Sequence, residues 1–114
     1  SKIFKTPEIK KGYYHSYYKY YIFLNLKNIK KKWKRSNIIN FIKDKGINVS
    51  VGSCPEIYKE RVFQKIYKYK ILKNANAIGR ISIAFSLNHY LPTRYVKNIC
   101  KTLKKIETLC AKKI

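Results

Sequence analysis

The sequence predicts an α/β protein in which helices cover a short sheet within one small domain. Hydrophobic residues make up 46% of the 114 residues, which is enough for a single modest core. Segments with the alternation of strands and segments with the three-to-four-residue spacing of helices follow one another along the chain. Elements in this order form a layered sheet, so we treat residues 1–114 as one domain.

The first half of the chain is predicted to contain a leading segment, a strand and a helix. Residues 1–16 hold proline and glycine among lysines, which indicates an extended segment that leads into the domain. Residues 17–25 are rich in aromatic and β-branched side chains, which favour a strand. Residues 35–45 have the apolar spacing of a helix, and Gly46 follows at the position where glycine often ends one.

The middle of the chain is predicted to hold a second strand, a loop and a short helix. Residues 47–51 alternate apolar and polar side chains, as a half-buried strand does. Residues 52–56 combine glycine, serine and proline, which indicates a turn-rich loop. A short helix is expected over about 57–67, and residues 68–72 fit neither pattern.

The last third of the chain is predicted to end in a long amphipathic helix. Before it, residues 74–79 are expected to form a helical turn that ends at Gly79, and residues 80–87 alternate as a strand does. Thr93 is predicted to be the N-cap of the final helix. Its apolar residues recur at steps of three and four: Val96, Ile99, Cys100, Leu103, Ile106 and Cys110.

The chain carries an unusual excess of positive charge. Lysine and arginine number 27 against 5 acidic residues, which gives a formal net charge of +22 and an isoelectric point near 10.1. Such a field attracts nucleic acids, acidic lipids and other polyanions. We favour compositional bias as its cause, because lysine, isoleucine, tyrosine and asparagine share AT-rich codons. Arginine, the side chain best suited to bidentate phosphate contacts, is rare here.

Residues 26–34 form a basic loop that is the best local candidate for an anion-binding patch. Trp33 would serve there as a platform on which a base stacks. The simpler interpretation, which we favour, is a solvated loop anchored by one aromatic side chain. The tyrosines of residues 13–21 leave similar alternatives, but neighbouring side chains of a strand point to opposite faces, so half of them should fill the core.

Single residues with reactive side chains do not combine into a catalytic constellation. His15 and His89 are candidate general bases, and Cys54 precedes a predicted helix, where a thiol can become nucleophilic. Glu56 and Glu60 lie four residues apart, but paired-carboxylate chemistry depends on a distance that sequence does not provide. The three cysteines lack the spacing of a metal site, so no metal is predicted, and their scatter fits a reducing cytoplasm. The sequence has neither a signal-peptide pattern nor an apolar run long enough to cross a bilayer.

Five segments, in order and spacing, resemble the C-terminal part of the DegT/DnrJ/EryC1/StrS aminotransferases. The family pattern is a His-Ala-Tyr-Tyr-Lys-Tyr-Tyr strand, a Trp-x-Arg helix start, a Gly-Ser-Cys-x-Glu-x-Tyr loop, a Leu-Pro-x-Ala helix, and a Ser-Leu-x-Phe strand running into a His-Pro-Thr cap. The corresponding segments here are 15–21, Trp33 with Arg35, 52–58, 72–75 and 82–93.

The resemblance implies a fold, a reaction and a set of partners. The chain would be the small C-terminal domain of a larger homodimeric enzyme, with a short, mostly antiparallel sheet flanked by helices. Enzymes of this family use pyridoxal 5'-phosphate to move an amino group from glutamate to a nucleotide-linked keto sugar in the cytoplasm, for amino-sugar and surface-polysaccharide biosynthesis. The Schiff-base lysine lies in their upstream domain, so no catalytic or cofactor-binding residue is predicted here and the fragment alone is expected to be inactive.

The resemblance also implies which residues face the substrate and where this chain departs from the pattern. The substrate-binding residues would come from the loop and from the first strand: Ser53, Glu56, Tyr58, Tyr17 and Lys19. Lys73 and Tyr90 replace prolines of the family pattern. Arg94 stands where the final helix of the family begins with an acidic residue, which is unfavourable at the positive end of a helix dipole.

The competing hypothesis is a freestanding nucleic-acid-binding module. It would use the basic loop at 27–35 and the tyrosine-rich strand, and it predicts an affinity that falls steeply with salt. We favour the enzyme fragment over nucleic-acid binding, because a nucleic-acid binder has no reason to keep the ordered segments of an aminotransferase.

Overall fold

The computed structural model describes residues 1–66 and 70–112. The described strands are β1 (Phe4–Lys5), β2 (Lys19–Leu24), β3 (Val49–Ser50) and β4 (Ser82–Ser86). The described α-helices are α1 (Arg35–Lys43), α2 (Arg61–Gln64), α3 (Lys73–Ile81) and α4 (Thr93–Cys110), and short 3-10 turns span Leu26–Asn28 and Ile57–Lys59.

The four strands form one sheet in the order β1-β2-β4-β3, and each neighbouring pair is antiparallel. β2 and β4 form the centre, where Tyr20 lies opposite Phe85 and Ile22 lies opposite Ile83. The short edge strands β1 and β3 each contribute two residues. This architecture confirms the expected short antiparallel sheet flanked by helices.

One face of the sheet and the helices α1 and α4 enclose the hydrophobic core. Residues that pair across an antiparallel ladder share a face, so the register places the large buried side chains of all four strands on this side. Apolar side chains three and four residues apart on α1 and α4 complete the core. The fully buried or nearly buried side chains include Phe4, Ile22, Leu24, Ile38, Ile42, Val49, Ile83, Phe85, Ile99 and Ile106.

The opposite face of the sheet carries Lys19, Tyr21 and Phe23 of β2 beside small residues of β4. Ser82 and Ala84 of β4 are buried, although their side chains do not point into the core. The Ser82 hydroxyl donates to the backbone oxygen of Val51 at 3.0 Å, which ties the chain after β3 to this face. The small side chains therefore leave room for a loop to cross the sheet.

The structure adds one strand and shortens others relative to the sequence prediction. The leading segment 1–16 is not wholly irregular, because β1 pairs with the far end of β2. The strand expected over 17–25 is present as β2, and the one expected over 47–51 is reduced to β3. The first helix is α1, as expected, and Gly46 follows it with a φ of 71°, which confirms the glycine's predicted role.

The prediction that a helical turn ends at Gly79 is wrong. α3 continues to Ile81, so the strand expected from residue 80 begins only at Ser82. Gly79 is buried within the helix, and a Cβ atom there would lie 2.4 Å from Cγ of Pro55. The glycine therefore serves close packing between the loop and α3, not chain termination.

Two other local predictions also need correction. The helix expected over 57–67 is divided, because Glu60 adopts an extended conformation between the 3-10 turn and α2, and residue 67 lies outside the described residues. Thr93 is the first residue of α4 and not its N-cap. Pro92 occupies that position, and its backbone oxygen accepts from the amide of Tyr95 at 2.8 Å.

Within residues 1–66 and 70–112, no helix has both the length and the apolar composition that a bilayer crossing requires.

Candidate functional site

The candidate site is the loop of residues 51–60, which lies on the face of the sheet opposite the core. Gly52 begins its turn with a φ of 94°, a conformation that favours glycine. A Cβ atom at Gly52 would also lie 2.5 Å from Cε1 of Tyr21. The backbone can approach the strand this closely only because position 52 has no side chain.

Ser53, Lys19 and Tyr21 form a polar cluster where this loop meets β2. The Ser53 amide donates to the Tyr21 hydroxyl at 3.2 Å, and Nζ of Lys19 lies 3.5 Å from the Ser53 hydroxyl oxygen. The hydrogen bond from the Ser53 amide, followed by the Ser53 side chain and the Lys19 charge, lowers the pKa of Tyr21. The cluster thus presents an ammonium, a hydroxyl and a polarised phenol on an accessible edge, which suits sugar hydroxyls or an anionic group.

Glu56 is the centre of a second cluster that ties the loop to the start of α3. The Tyr58 hydroxyl donates to Oε1 of Glu56, and Nδ2 of Asn76 lies 3.1 and 3.0 Å from its two oxygens. Nζ of Lys59 forms an ion pair with Oε1 of Glu56 at 2.9 Å. These donors, with the Tyr58 hydroxyl first and Lys59 second, lower the pKa of Glu56 from 4.5 to about 2.

Tyr58 extends this cluster to the chain that precedes α3. Its hydroxyl accepts from the Leu72 amide at 3.2 Å while it donates to Glu56. Partial burial, and then the bond to the Glu56 carboxylate, raise the pKa of Tyr58. The phenol therefore stays protonated at neutral pH and acts as a hydrogen-bond bridge between two segments.

Tyr17 lies apart from both clusters. Its ring is 4.3 Å from that of His15 and 5.6 Å from that of Tyr20, measured between centroids. Tyr20 belongs to the core face, so Tyr17 sits beside a different face of β2 from Lys19. Tyr17 also has a φ of 51°, which is strained for a non-glycine residue.

The structure thus groups the predicted site residues into pairs: Lys19 with Ser53, and Glu56 with Tyr58. Sequence analysis missed Tyr21, although strand alternation places residues 19 and 21 on one face and would have identified it. It also missed Asn76. No local signal links this asparagine to Glu56, since the two are 20 residues apart and meet only through packing of the loop on α3.

The remaining reactive side chains have simpler roles in the structure. Nδ1 of His15 accepts from the Tyr17 amide at 2.8 Å, and the ring of His89 lies 3.8 Å from that of Tyr90. A hydrogen bond to Glu60 raises the pKa of Cys54, which disfavours a thiolate nucleophile. Glu56, with its pKa near 2, is ionised at neutral pH and does not act as an acid in a carboxylate pair.

Trp33 anchors the basic loop to the core, as predicted. Its ring is half-buried against the core and meets the ring of Phe41 edge-on, with 6.3 Å between centroids. The indole is therefore engaged in packing and is not a free platform for a base.

The described residues do not form a site for pyridoxal 5'-phosphate by themselves. A Schiff-base lysine needs a sheltered pocket with a partner for the pyridine nitrogen. Among residues 1–66 and 70–112, no lysine is buried. The ion pair of Lys59 with Glu56 belongs to the exposed loop, where it serves to hold the chain.

Two solved structures are similar to nearly the whole chain. The aminotransferase from Psychrobacter cryohalolentis has a TM-score of 0.85 and 24% identity over 95% of this chain and 29% of that chain. The aminotransferase TlmJ from Streptoalloteichus hindustanus has a TM-score of 0.76 and 14% identity over 93% of this chain and 26% of that chain. No protein-family model and no curated protein matches the chain. The chain therefore has the fold of part of an aminotransferase, and it spans less than a third of the length of these two proteins.

Proposed function

We propose that the chain is the C-terminal small domain of a pyridoxal-phosphate-dependent aminotransferase of the DegT/DnrJ/EryC1/StrS type. The observation that carries this proposal is the match of 95% of the chain to 29% of a solved aminotransferase, at a TM-score of 0.85. The ordered segments of the sequence support the same family. The complete enzyme would be a cytoplasmic homodimer that transfers an amino group from glutamate to a nucleotide-linked keto sugar.

In this proposal Lys19 and Ser53 contact the substrate directly. Both belong to the cluster on the accessible face of the sheet, where Nζ of Lys19 is 3.5 Å from the Ser53 hydroxyl. A compact ammonium suits a phosphate oxygen, and a hydroxyl both donates to and accepts from a sugar hydroxyl. Tyr21 joins them, because its phenol is held beside the Ser53 amide.

Glu56 and Tyr58 belong to the substrate side of the same loop, and their main role in this proposal is to hold the loop in position. Their polar atoms bond to each other and to Asn76, so the loop is held rigidly against α3. A loop that is ordered before binding loses less entropy when the substrate arrives. Tyr17 contributes to the same site from the segment that leads to Lys19. Its strained backbone is of a kind that clusters at functional sites.

The cofactor would be held by parts of the enzyme outside the described residues. Pyridoxal phosphate supplies an electron sink for amino transfer, and the protein around it supplies orientation and electrostatics. The contribution of this domain is to hold the sugar and its phosphates in place. The chain alone is therefore expected to be inactive.

An exposed apolar surface supports the proposal that another domain packs on this chain. Along residues 57–66 and 71–78, large hydrophobic side chains are more than half exposed: Ile57, Val62, Ile66, Ile71, Leu72 and Ile78. Exposed apolar side chains in this number are typical of a surface that another domain covers. The remaining domain of the proposed enzyme would cover them.

The first experiment is to read the coding sequence upstream of Ser1 and to express the complete protein. An upstream domain with a pyridoxal-phosphate lysine, and amino transfer from glutamate to a nucleotide-linked keto sugar, would support the proposal. A start at Ser1 with no such domain nearby would overturn it.

Variants of the complete protein then test the residues named here. Lys19→Ala and Ser53→Ala are each expected to raise KM for the keto sugar about tenfold, because each removes a hydrogen bond to a charged or polar group. Ser36→Ala and Lys43→Ala, on the exposed face of α1, remove the same side-chain types and serve as controls. Equal effects of both pairs would refute substrate contact by Lys19 and Ser53.

A further inference from the structure

A basic pocket lies at the end of the sheet away from Lys19 and Ser53. The pocket has a volume of about 340 Å³ and is formed by the loop after β2, the start of α1, the end of α3 and the residues after α4. Leu26, Ile29 and Trp33 form its apolar part. Six cationic side chains line it: Lys30, Lys31, Lys34, Arg35, Arg80 and Lys112.

The charge of this pocket is not balanced by the chain. None of the acidic side chains of the described residues lines the pocket, so no carboxylate within it offsets its six cations. Like charges brought to one pocket repel, and walls of low dielectric strengthen the resulting potential. An anion bound there would offset that repulsion, and binding would therefore stabilise the fold.

Two of these cations are held in place by backbone oxygens from distant parts of the chain. Nζ of Lys30 donates to the Leu109 oxygen at 2.9 Å, and the Arg35 guanidinium donates to the oxygens of Gly79 and Ser82. An ammonium has three N–H donors and a guanidinium has five, so each keeps donors for a ligand. The cations are thus positioned before a ligand arrives, which distinguishes this pocket from lysines on a solvated helix face.

We propose that this pocket binds a small phosphate-bearing ligand of about the size of a diphosphate. Cations that converge from four segments match the several oxygens of such a group, and its volume falls within the range of small-molecule pockets. An extended nucleic acid is a poorer fit, because the one aromatic platform of this region, Trp33, packs against Phe41. The proposal rests on this pocket alone and does not depend on the proposed enzyme function.

The test uses Trp33, the only tryptophan of the sequence, as a fluorescent reporter inside the pocket. The chain is titrated with pyrophosphate while sodium chloride keeps the ionic strength constant. Lys31→Gln with Arg80→Gln removes two exposed pocket cations, and Lys97→Gln with Lys101→Gln removes two from the outer face of α4. Both double variants lower the net charge equally.

The expected result is a saturable change in Trp33 fluorescence with a Kd that the pocket variant raises about fivefold or more. The α4 variant should leave that Kd within about twofold of the parent. A parallel titration with a nucleoside diphosphate distinguishes a nucleotide ligand from an inorganic one. A lower Kd for the nucleoside diphosphate than for pyrophosphate would indicate contacts to the nucleoside as well.

Three results would overturn the proposal. One is a fluorescence change that does not saturate, and another is an equal loss of affinity in both double variants. The third is tighter binding of a single-stranded oligonucleotide than of either diphosphate, weakened equally by both variants, which would assign binding to the net charge of the chain.

Discussion

The contact between Pro55 and Gly79 allows a sharp test of how the candidate loop is held. Substituting Gly79→Ala would place a Cβ atom 2.4 Å from Cγ and 2.7 Å from Cβ of Pro55. Pro55 is a rigid ring on the backbone of the loop, so the whole loop must shift to relieve the overlap. Overpacking of this kind costs about 1–3 kcal/mol.

The helix itself works in the opposite direction at this position. Alanine is better than glycine in a helix interior by about 1 kcal/mol, and α3 runs through residue 79. The net expectation for Gly79→Ala is a loss of about 1 kcal/mol in the free energy of unfolding, or a fall of roughly 5 °C in Tm. Thermal unfolding followed by circular dichroism measures it.

A double-mutant cycle identifies the cause. Pro55→Gly removes both the Cβ and the Cγ atoms that the new methyl group would meet, so Pro55→Gly with Gly79→Ala should be more stable than the sum of the single changes predicts. If Gly79→Ala alone raises Tm, as at a solvent-exposed helix site, the loop does not pack on α3 as described and the reasoning fails.

Three further predictions concern the core, the pH dependence and α4. Phe85→Ala empties a site that is 1% exposed, so unfolding in urea should show a loss of about 3–5 kcal/mol, whereas a loss below about 1 kcal/mol would contradict the described core. The pKa of Glu56 is lowered to about 2, so its contribution to stability is present above pH 4.5 and is lost as pH falls towards 2. Glu56→Gln should therefore flatten this part of the Tm-versus-pH curve. An unchanged curve would argue against the hydrogen bonds of Glu56 with Tyr58 and Asn76. Tyr95→Phe removes the acceptor of the Asn48 amide at 2.7 Å and should cost about 1 kcal/mol in urea unfolding, with Tyr90→Phe, an exposed site, as its neutral control.

The composition gives only the number of cations, whereas the structure shows which of them lie together. Most of the described lysines are exposed, which compositional bias explains, but Lys30 and Arg35 are held by backbone oxygens. Net charge alone describes solubility and non-specific attraction. The placement of a few cations in one pocket is what makes a specific anion site testable.

Most elements of the fold were predicted because they depend on local periodicity. The aromatic and β-branched content of β2 and the apolar steps of α1 and α4 are properties of short runs of consecutive residues, and each element lies where those patterns predict it. β1 was missed because two residues carry no periodicity, and only pairing with β2 makes them a strand. Gly79 was misinterpreted because a glycine that ends a helix and one that admits a neighbouring ring look the same in sequence.

The candidate site was likewise indicated in part by the sequence and decided in part by the tertiary structure. Local pattern was sufficient to indicate the fold class and the turn-rich loop at 52–56. The candidate residues came instead from the resemblance to the aminotransferase family: Ser53, Glu56, Tyr58, Tyr17 and Lys19. Tertiary structure decided which of them meet: Ser53 with Lys19, and Glu56 with Tyr58 and with Asn76. It also brought the cations of the basic pocket together from four segments. Ser53 with Lys19, Glu56 with Asn76, and the pocket cations of different segments meet across 20 residues or more of chain, where sequence periodicity carries no information and packing alone selects the neighbours.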